Sequence, residues 1–420
     1  MRHAVAVGAL VAILHLQGCT GAVSELDAGL DSGTGDAGEI DAGTTADAGM
    51  TDAGMTDSGT DAGTARDAGF WDGGSVRDAG AYIEPAWHVG IPLNTWTEIP
   101  NTSGAGGAAI NAWGALAENK LAAELYIAAS GGHSDSADNR VVSMNLLADA
   151  PVWVQRHAPS ANPVVDVLYY PDGLPTSRHL YAHLHYLPTL DVVLLGGCRY
   201  GYGGGTPTGP GMDGFDLTTN QWIPQRTFPD ITPFNAYVIE VDGNGAAWSA
   251  SGNKFDPSTR TWSTPGTGPG LGRFPHATAP ARNLIFSLQF GDGQGYDLNL
   301  GVVARRLDTT TGNSANITFN PSTALTEFMT AQPTYAGMDF DAANDRFLFY
   351  AGEERGKVYA ITPNATTTWD LTVLPTTGMP AAAPSSGSGI NKRFRYLPTL
   401  GGFVLMPTST SNLWFLRTSN

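Results

Sequence analysis

Two eight-residue phrases, forty positions apart, constrain this chain more than any other feature. Phe215-Asp216-Leu217-Thr218-Thr219-Asn220-Gln221-Trp222 and Phe255-Asp256-Pro257-Ser258-Thr259-Arg260-Thr261-Trp262 match in length and in their end residues. Upstream of the first, Val193-Leu194-Leu195-Gly196-Gly197 echoes Ile127-Ala128-Ala129-Ser130-Gly131-Gly132. In each phrase an Asp followed two residues on by Thr or Ser can close a turn on its own backbone, joining one strand to the next. Short alternating apolar runs recur between such turns over residues 81–420, and no long stretch has helical periodicity. This is the pattern of an all-β architecture built from repeats.

Six units can be marked, with second strands ending near Gly132, Gly197, Gly252, Gly291, Gly352 and Met406. The last unit offers only three strands, Arg393 to Leu397, Gly402 to Met406 and Asn412 to Arg417. An orphan strand, Thr95 to Pro100, stands at the other end. Joining the two would complete the last sheet and remove an open edge. An apolar strand ending in Gly-Gly, an aromatic-Asp turn phrase and a Trp together resemble the kelch repeat of galactose-oxidase-like propellers. The resemblance covers residues 81–420 and implies a β-propeller, with six blades expected in preference to seven. Gly131-Gly132-His133-Ser134-Asp135 and Pro175-Thr176-Ser177-Arg178-His179 resemble a group of bacterial kelch-like secreted proteins, with a departure at Ser136-Ala137. That likeness bears on placement and not on chemistry.

The N-terminus reads as an export signal over residues 1–18, with Arg2 and then an apolar run, Ala4 to Leu14, too short to span a bilayer. It ends in Leu16-Gln17-Gly18-Cys19, which resembles the lipobox of bacterial lipoproteins and implies acylation of Cys19. A lipid anchor in the outer membrane is therefore expected, on a side that the sequence leaves open. Residues 19–80 repeat Asp-Ala-Gly and hold almost no bulky apolar side chains, so a disordered linker is expected. From Thr20 to Gly80 there are 13 acidic and 2 basic residues, a net of −11 out of the chain's −17. The acidity thus belongs mainly to the linker, where self-repulsion favours extension. Residues 81–420 remain acidic, with 26 acidic and 19 basic side chains, which argues against nucleic acid as a partner. With Cys19 acylated, Cys198 is left without an intramolecular disulfide partner, and a monomer resting on its apolar core is expected.

In a propeller the turn after each second strand and the lead into the next first strand share one face. Candidate ligand-binding residues on that face are His133, Asp135, Arg178, His179, Arg199, Tyr200, Tyr202, His276 and Arg393, with Cys198, Glu353, Glu354, Arg355 and Lys392 nearby. The bland readings are a turn histidine for His133, an interblade ion pair for Arg178, and packing or solvent roles for His183 and His185. Copper-radical chemistry, which the galactose-oxidase likeness invites, lacks the adjacent Tyr-His phrase and the trailing domain. No zinc spacing exists either, so no cofactor is expected. Three functions then compete. Binding of a glycan or another extracellular ligand needs only the aromatic and polar face. Polysaccharide β-elimination needs a base, an acid and a cation, which His133 or His179, Tyr200 or Tyr202, and Arg178 or Arg199 could supply. A protein-interaction scaffold needs neither.

Overall fold

The computed structural model describes residues 83–104, 114–131, 135–165, 167–196, 198–199, 212–229, 238–267, 270–271, 275–291, 297–352, 357–380 and 389–420. The signal, Cys19 and the linker lie outside them. The described chain forms a six-bladed β-propeller of antiparallel four-stranded meanders. The first blade is Ala117–Asn119, Glu124–Ala128, Val141–Asn145 and Val154–His157. The second is Leu184–Leu187, Val192–Leu195, Asp213–Asp216 and Gln221–Trp222. The third is Val238–Val241, Ala247–Ser249, Lys254–Asp256 and Thr261–Ser263. The fourth is His276–Ala279, Leu284–Phe290, Val302–Asp308 and Ser314–Asn316. The fifth is Gly337–Asp341, Arg346–Tyr350, Val358–Thr362 and Thr368–Leu374, with Thr318–Phe319 added outside in parallel.

The sixth blade is closed from the other end of the chain. Phe394–Leu397, Gly402–Leu405 and Trp414–Arg417 supply three strands, and Trp96–Glu98 pairs with the last of them, Trp96 opposite Leu416 and Glu98 opposite Trp414. The residues just before this strand pin the same seam. Trp87 donates from Nε1 to the Leu146 carbonyl of the first blade at 3.1 Å, and His88 Nε2 meets the Leu400 carbonyl of the sixth at 2.9 Å.

The matched phrases prove to be hairpins. Phe215 lies opposite Trp222 and Phe255 opposite Trp262, with ring centroids 5.3 and 5.2 Å apart. Asp216 Oδ1 accepts from the Thr218 and Thr219 amides at 2.8 and 3.0 Å, as Asp256 does from Ser258 and Thr259. Asp308 in the fourth blade makes the same pair of bonds to Thr310 and Thr311. Four residues after each Asp the backbone is left-handed, at Asn220, Arg260 and Gly312.

Apolar packing lies in the gaps between blades, one cluster for each of the six neighbouring pairs. The second strand of the second blade shows why its sequence is a continuous apolar run. Val193 and Leu195 face the first blade, and Val192 and Leu194 face the third. Both sides of the pleat are buried, so alternation disappears. One short helix, Thr323–Ala331, escaped the periodicity argument because it is only nine residues long. Ser322 caps it through Oγ, and Phe328 seats it against Phe349 and Tyr359.

Candidate functional site

The expected convergence of exit and lead-in occurs between the first and second blades. The Arg178 amide donates to the Ala129 carbonyl at 2.7 Å, and the Gly131 amide donates back to the Arg178 carbonyl at 2.8 Å. A Cβ on Gly131 would stand 2.5 Å from Ser177 Oγ, so the approach of the two segments requires glycine here. Asp135 is exposed, with its amide on the Gly131 carbonyl at 3.0 Å. Arg178 and His179 pair in backbone register with Arg199 and Cys198, which extends the first hairpin of the second blade onto this face. Asn139 is buried and clamps the outer loop, donating to Ser160 Oγ and the Pro175 carbonyl.

The side chains are less available than the sequence implies. Arg178 is fully buried and donates to Asp213 Oδ2 at 2.6 Å, while Tyr169 donates to Asp213 Oδ1 at 3.0 Å. Burial and the Asp213 charge push the Tyr169 phenol up to about 12. The ion pair lies within the second blade, and the backbone bonds of Arg178 are what reach the first. His179 and His276 are buried at the starts of the second and fourth blades. Arg393 is buried before the sixth blade and donates to the carbonyls of Met406, Pro407 and Gly389. Burial lowers its guanidinium to about 10. His133, Tyr200, Tyr202 and Glu353 to Arg355 lie outside the described residues.

At the centre of this face two tyrosines meet. Tyr181 leads into the second blade and Tyr335 into the fifth, which stand opposite each other in a ring of six. They pack together, and both hold a left-handed backbone, φ 48° and φ 51°. Such a conformation is unusual for bulky side chains and persists only where its surroundings fix it. Tyr335 is fixed by its carbonyl, which accepts from the Ile390 amide at 2.7 Å. His179 lies on Tyr181 with ring centroids 4.1 Å apart, and His183 meets Tyr181 edge-on at 6.4 Å.

No family model and no curated protein matches the chain. Among solved structures it is similar to YjhT at 12% identity and TM-score 0.44, covering 76% of this chain and 94% of that one. It is also similar to the Malassezia sympodialis allergen Mala s 1, at 10% identity and TM-score 0.41, covering 78% of this chain and 96% of that one. A GH74 xyloglucanase from Xanthomonas campestris gives 15% and 0.34, covering 66% of this chain and 49% of that one. Nothing about activity follows from likenesses at this level.

Deeper along the axis lies an ionic cluster. Two or three residues before its first hairpin turn, each inner strand carries a polar residue: Glu118, His185, Glu240, Thr278, Asp339 and Arg395. Arg395 donates to Glu118 Oε1 at 2.6 Å and stands 3.6 Å from Glu240 and 3.5 Å from Asp339. Lys120 donates to both Asp339 oxygens, at 2.9 and 2.7 Å. Lys392 Nζ lies 3.0 Å from Glu240 Oε1 and donates to His185 Nδ1 at 3.1 Å. Burial works against ionisation of Asp339, but Arg395 and Lys120 hold its carboxyl below the ordinary 3.8. Burial and neighbouring Arg395 lower the Lys392 ammonium to about 8, against the pull of Glu240 and Glu118.

A cavity of about 70 Å³ opens beside this cluster, lined by Glu118, His185, Glu240, Lys392 and Arg395 and, at its mouth, by Pro188, Gly243 and Pro280. Those last three sit in the first hairpin turns, so the cavity opens on the face opposite the expected loops. Lys392, placed by sequence on the loop face, thus sends its ammonium toward the other one. Among the described residues no group of three or more His, Cys, Asp or Glu is arranged to hold a metal ion. Sequence reasoning missed Glu118, Glu240, Asp339 and Arg395. Glu240, Asp339 and Arg395 each sit between apolar neighbours in an inner strand, a signal that could have found them, while Glu118 beside Asn119 carries none.

Proposed function

We propose that this chain is a secreted, Cys19-acylated binding module of kelch type. It takes a glycan on the face where second strands end and first strands begin. The observation that supports this reading most is the Tyr181–Tyr335 contact. Two bulky residues from opposite blades are held in a strained backbone at the centre of one face, flanked by His179 and His183. Strain maintained at such a place is a mark of function, and ligand sites are lined mainly by aromatic and apolar side chains with a few polar groups. Both tyrosines are largely buried, so their part is to shape the floor beneath the sugar. Asp135, on this face, is open to solvent.

The lyase alternative needs a cation free to meet a uronate. Arg178 is spent on Asp213, so a lyase would have to draw that cation from Arg199. The test is a glycan array on the mature chain, run beside an ultraviolet assay for unsaturated uronate products. Retention of one glycan class without new absorbance is expected. Turnover of a uronate polymer would replace the binding reading with the lyase. Silence in both assays would leave a protein-interaction scaffold.

A further inference from the structure

We propose that Lys392 is a carbonyl-capturing amine that forms a reversible imine with a small neutral aldehyde admitted by the axial cavity on the hairpin-turn face. This site is distinct from the loop face and does not rest on the glycan reading.

Geometry carries the assignment. Lys392 lines a cavity of about 70 Å³, room for a few waters or a molecule of similar bulk. Its amine has an acceptor, His185 Nδ1, at 3.1 Å and a carboxylate, Glu240 Oε1, at 3.0 Å. These are the two groups that imine formation needs, one to shuttle a proton and one to hold positive charge. The charged groups around the cavity balance, with Glu118, Glu240 and Asp242 against Lys120, Lys392 and Arg395, so the lining favours an uncharged guest. Arg395 is itself occupied by Glu118, and Lys120 by Asp339. The ammonium, lowered by burial to about 8, yields its proton near neutrality where an ordinary lysine does not.

In the reaction, Lys392 Nζ passes one proton to His185 Nδ1, and the freed lone pair attacks the carbonyl carbon. The C–N bond forms as the C=O π pair moves to oxygen, and a proton shifts from nitrogen to that oxygen through Glu240. The carbinolamine hydroxyl then takes the proton back from His185 and leaves as water, while the nitrogen lone pair closes the C=N bond. Ammonium and aldehyde become iminium and water, with no oxidant and no net proton. Glu240 faces the iminium charge.

The chain has four lysines, Lys120, Lys254, Lys357 and Lys392, so the other three serve as internal controls. The purified full chain is treated with glycolaldehyde and cyanoborohydride near neutral pH, and hydroxyethyl groups on each lysine are counted by peptide mass spectrometry. Lys392 should react at least about tenfold faster than any other lysine, with a pH midpoint near 8. His185→Gln should cut that rate by about tenfold or more while the unfolding midpoint of the same sample is unchanged. If that variant does not fold, the partition among the four native lysines still decides. Labelling of the more exposed Lys254 and Lys357 ahead of Lys392, or of Lys392 only in denaturant, would overturn the proposal.

Discussion

Arg395 of the sixth blade donates to the Glu118 carboxylate of the first at 2.6 Å, across the seam where the ring closes. The same guanidinium stands within 3.6 Å of Glu240 in the third blade and 3.5 Å of Asp339 in the fifth. Burial opposes its charge, and the three carboxylates more than restore it. One cation therefore ties four blades at the axis, where the apolar clusters between blades do not reach.

Removal of that cation should be costly. Arg395→Met leaves three buried carboxylates facing only Lys120 and Lys392, and the fold should lose about 3–5 kcal/mol in denaturant titrations. A loss under about 1 kcal/mol would mean that the cluster is a bystander to stability.

Asp339 gives the cluster a pH signature. Its folded carboxyl lies below the ordinary 3.8, so its contribution is complete above that value and is lost as the pH falls through the folded one. Asp341, raised by burial, has the opposite sign and costs stability at neutral pH. The stability gap between wild type and Asp339→Asn should therefore be full near pH 7 and shrink below about pH 3.8. A gap of constant size down to the acid unfolding limit would contradict the assignment.

Closure by the N-terminal strand predicts two different truncations. A chain beginning at Ile83 keeps Trp87, His88 and the Trp96–Glu98 strand and should melt as the longer chain does. A chain beginning at Asn101 exposes the edge of the Trp414–Arg417 strand and should aggregate or unfold without cooperativity. A stable monomer from the shorter chain would refute the closure.

The Arg178–Asp213 pair should behave as structure. Arg178→Ala strands a buried carboxylate and should cost about 3–5 kcal/mol of stability. Asp213→Asn should be comparably harmful, whichever glycan is present. A folded, fully stable Arg178→Ala protein that has lost only ligand would return Arg178 to the binding surface.

The architecture was legible because repeats and strand ends leave local marks. The Asp216 and Asp256 turns, the three strands of the last blade and the orphan strand containing Trp96 could all be placed from residue order alone. The third Asp turn, at Asp308, went unseen because its hairpin ends in no Trp. The functional centre was far less legible. Arg178 could be read as a site residue or as half of an ion pair, and only the fold names the partner, Asp213, 35 residues away in sequence. Tyr181 and Tyr335 carry no local signal at all, since left-handed tyrosine is imposed by packing and not by propensity. His185 looked like a strand residue, which it is, and its contact with Lys392 spans the channel.

The most direct test of the binding face is calorimetry of the best array glycan against wild type, Tyr335→Phe and Tyr335→Ala. Phenylalanine keeps the ring and should bind within about threefold of wild type, while alanine should lose about 1.5–2 kcal/mol, roughly tenfold or more in Kd. Equal affinity in all three proteins, with the melting temperature of Tyr335→Ala confirming its fold, would contradict the account.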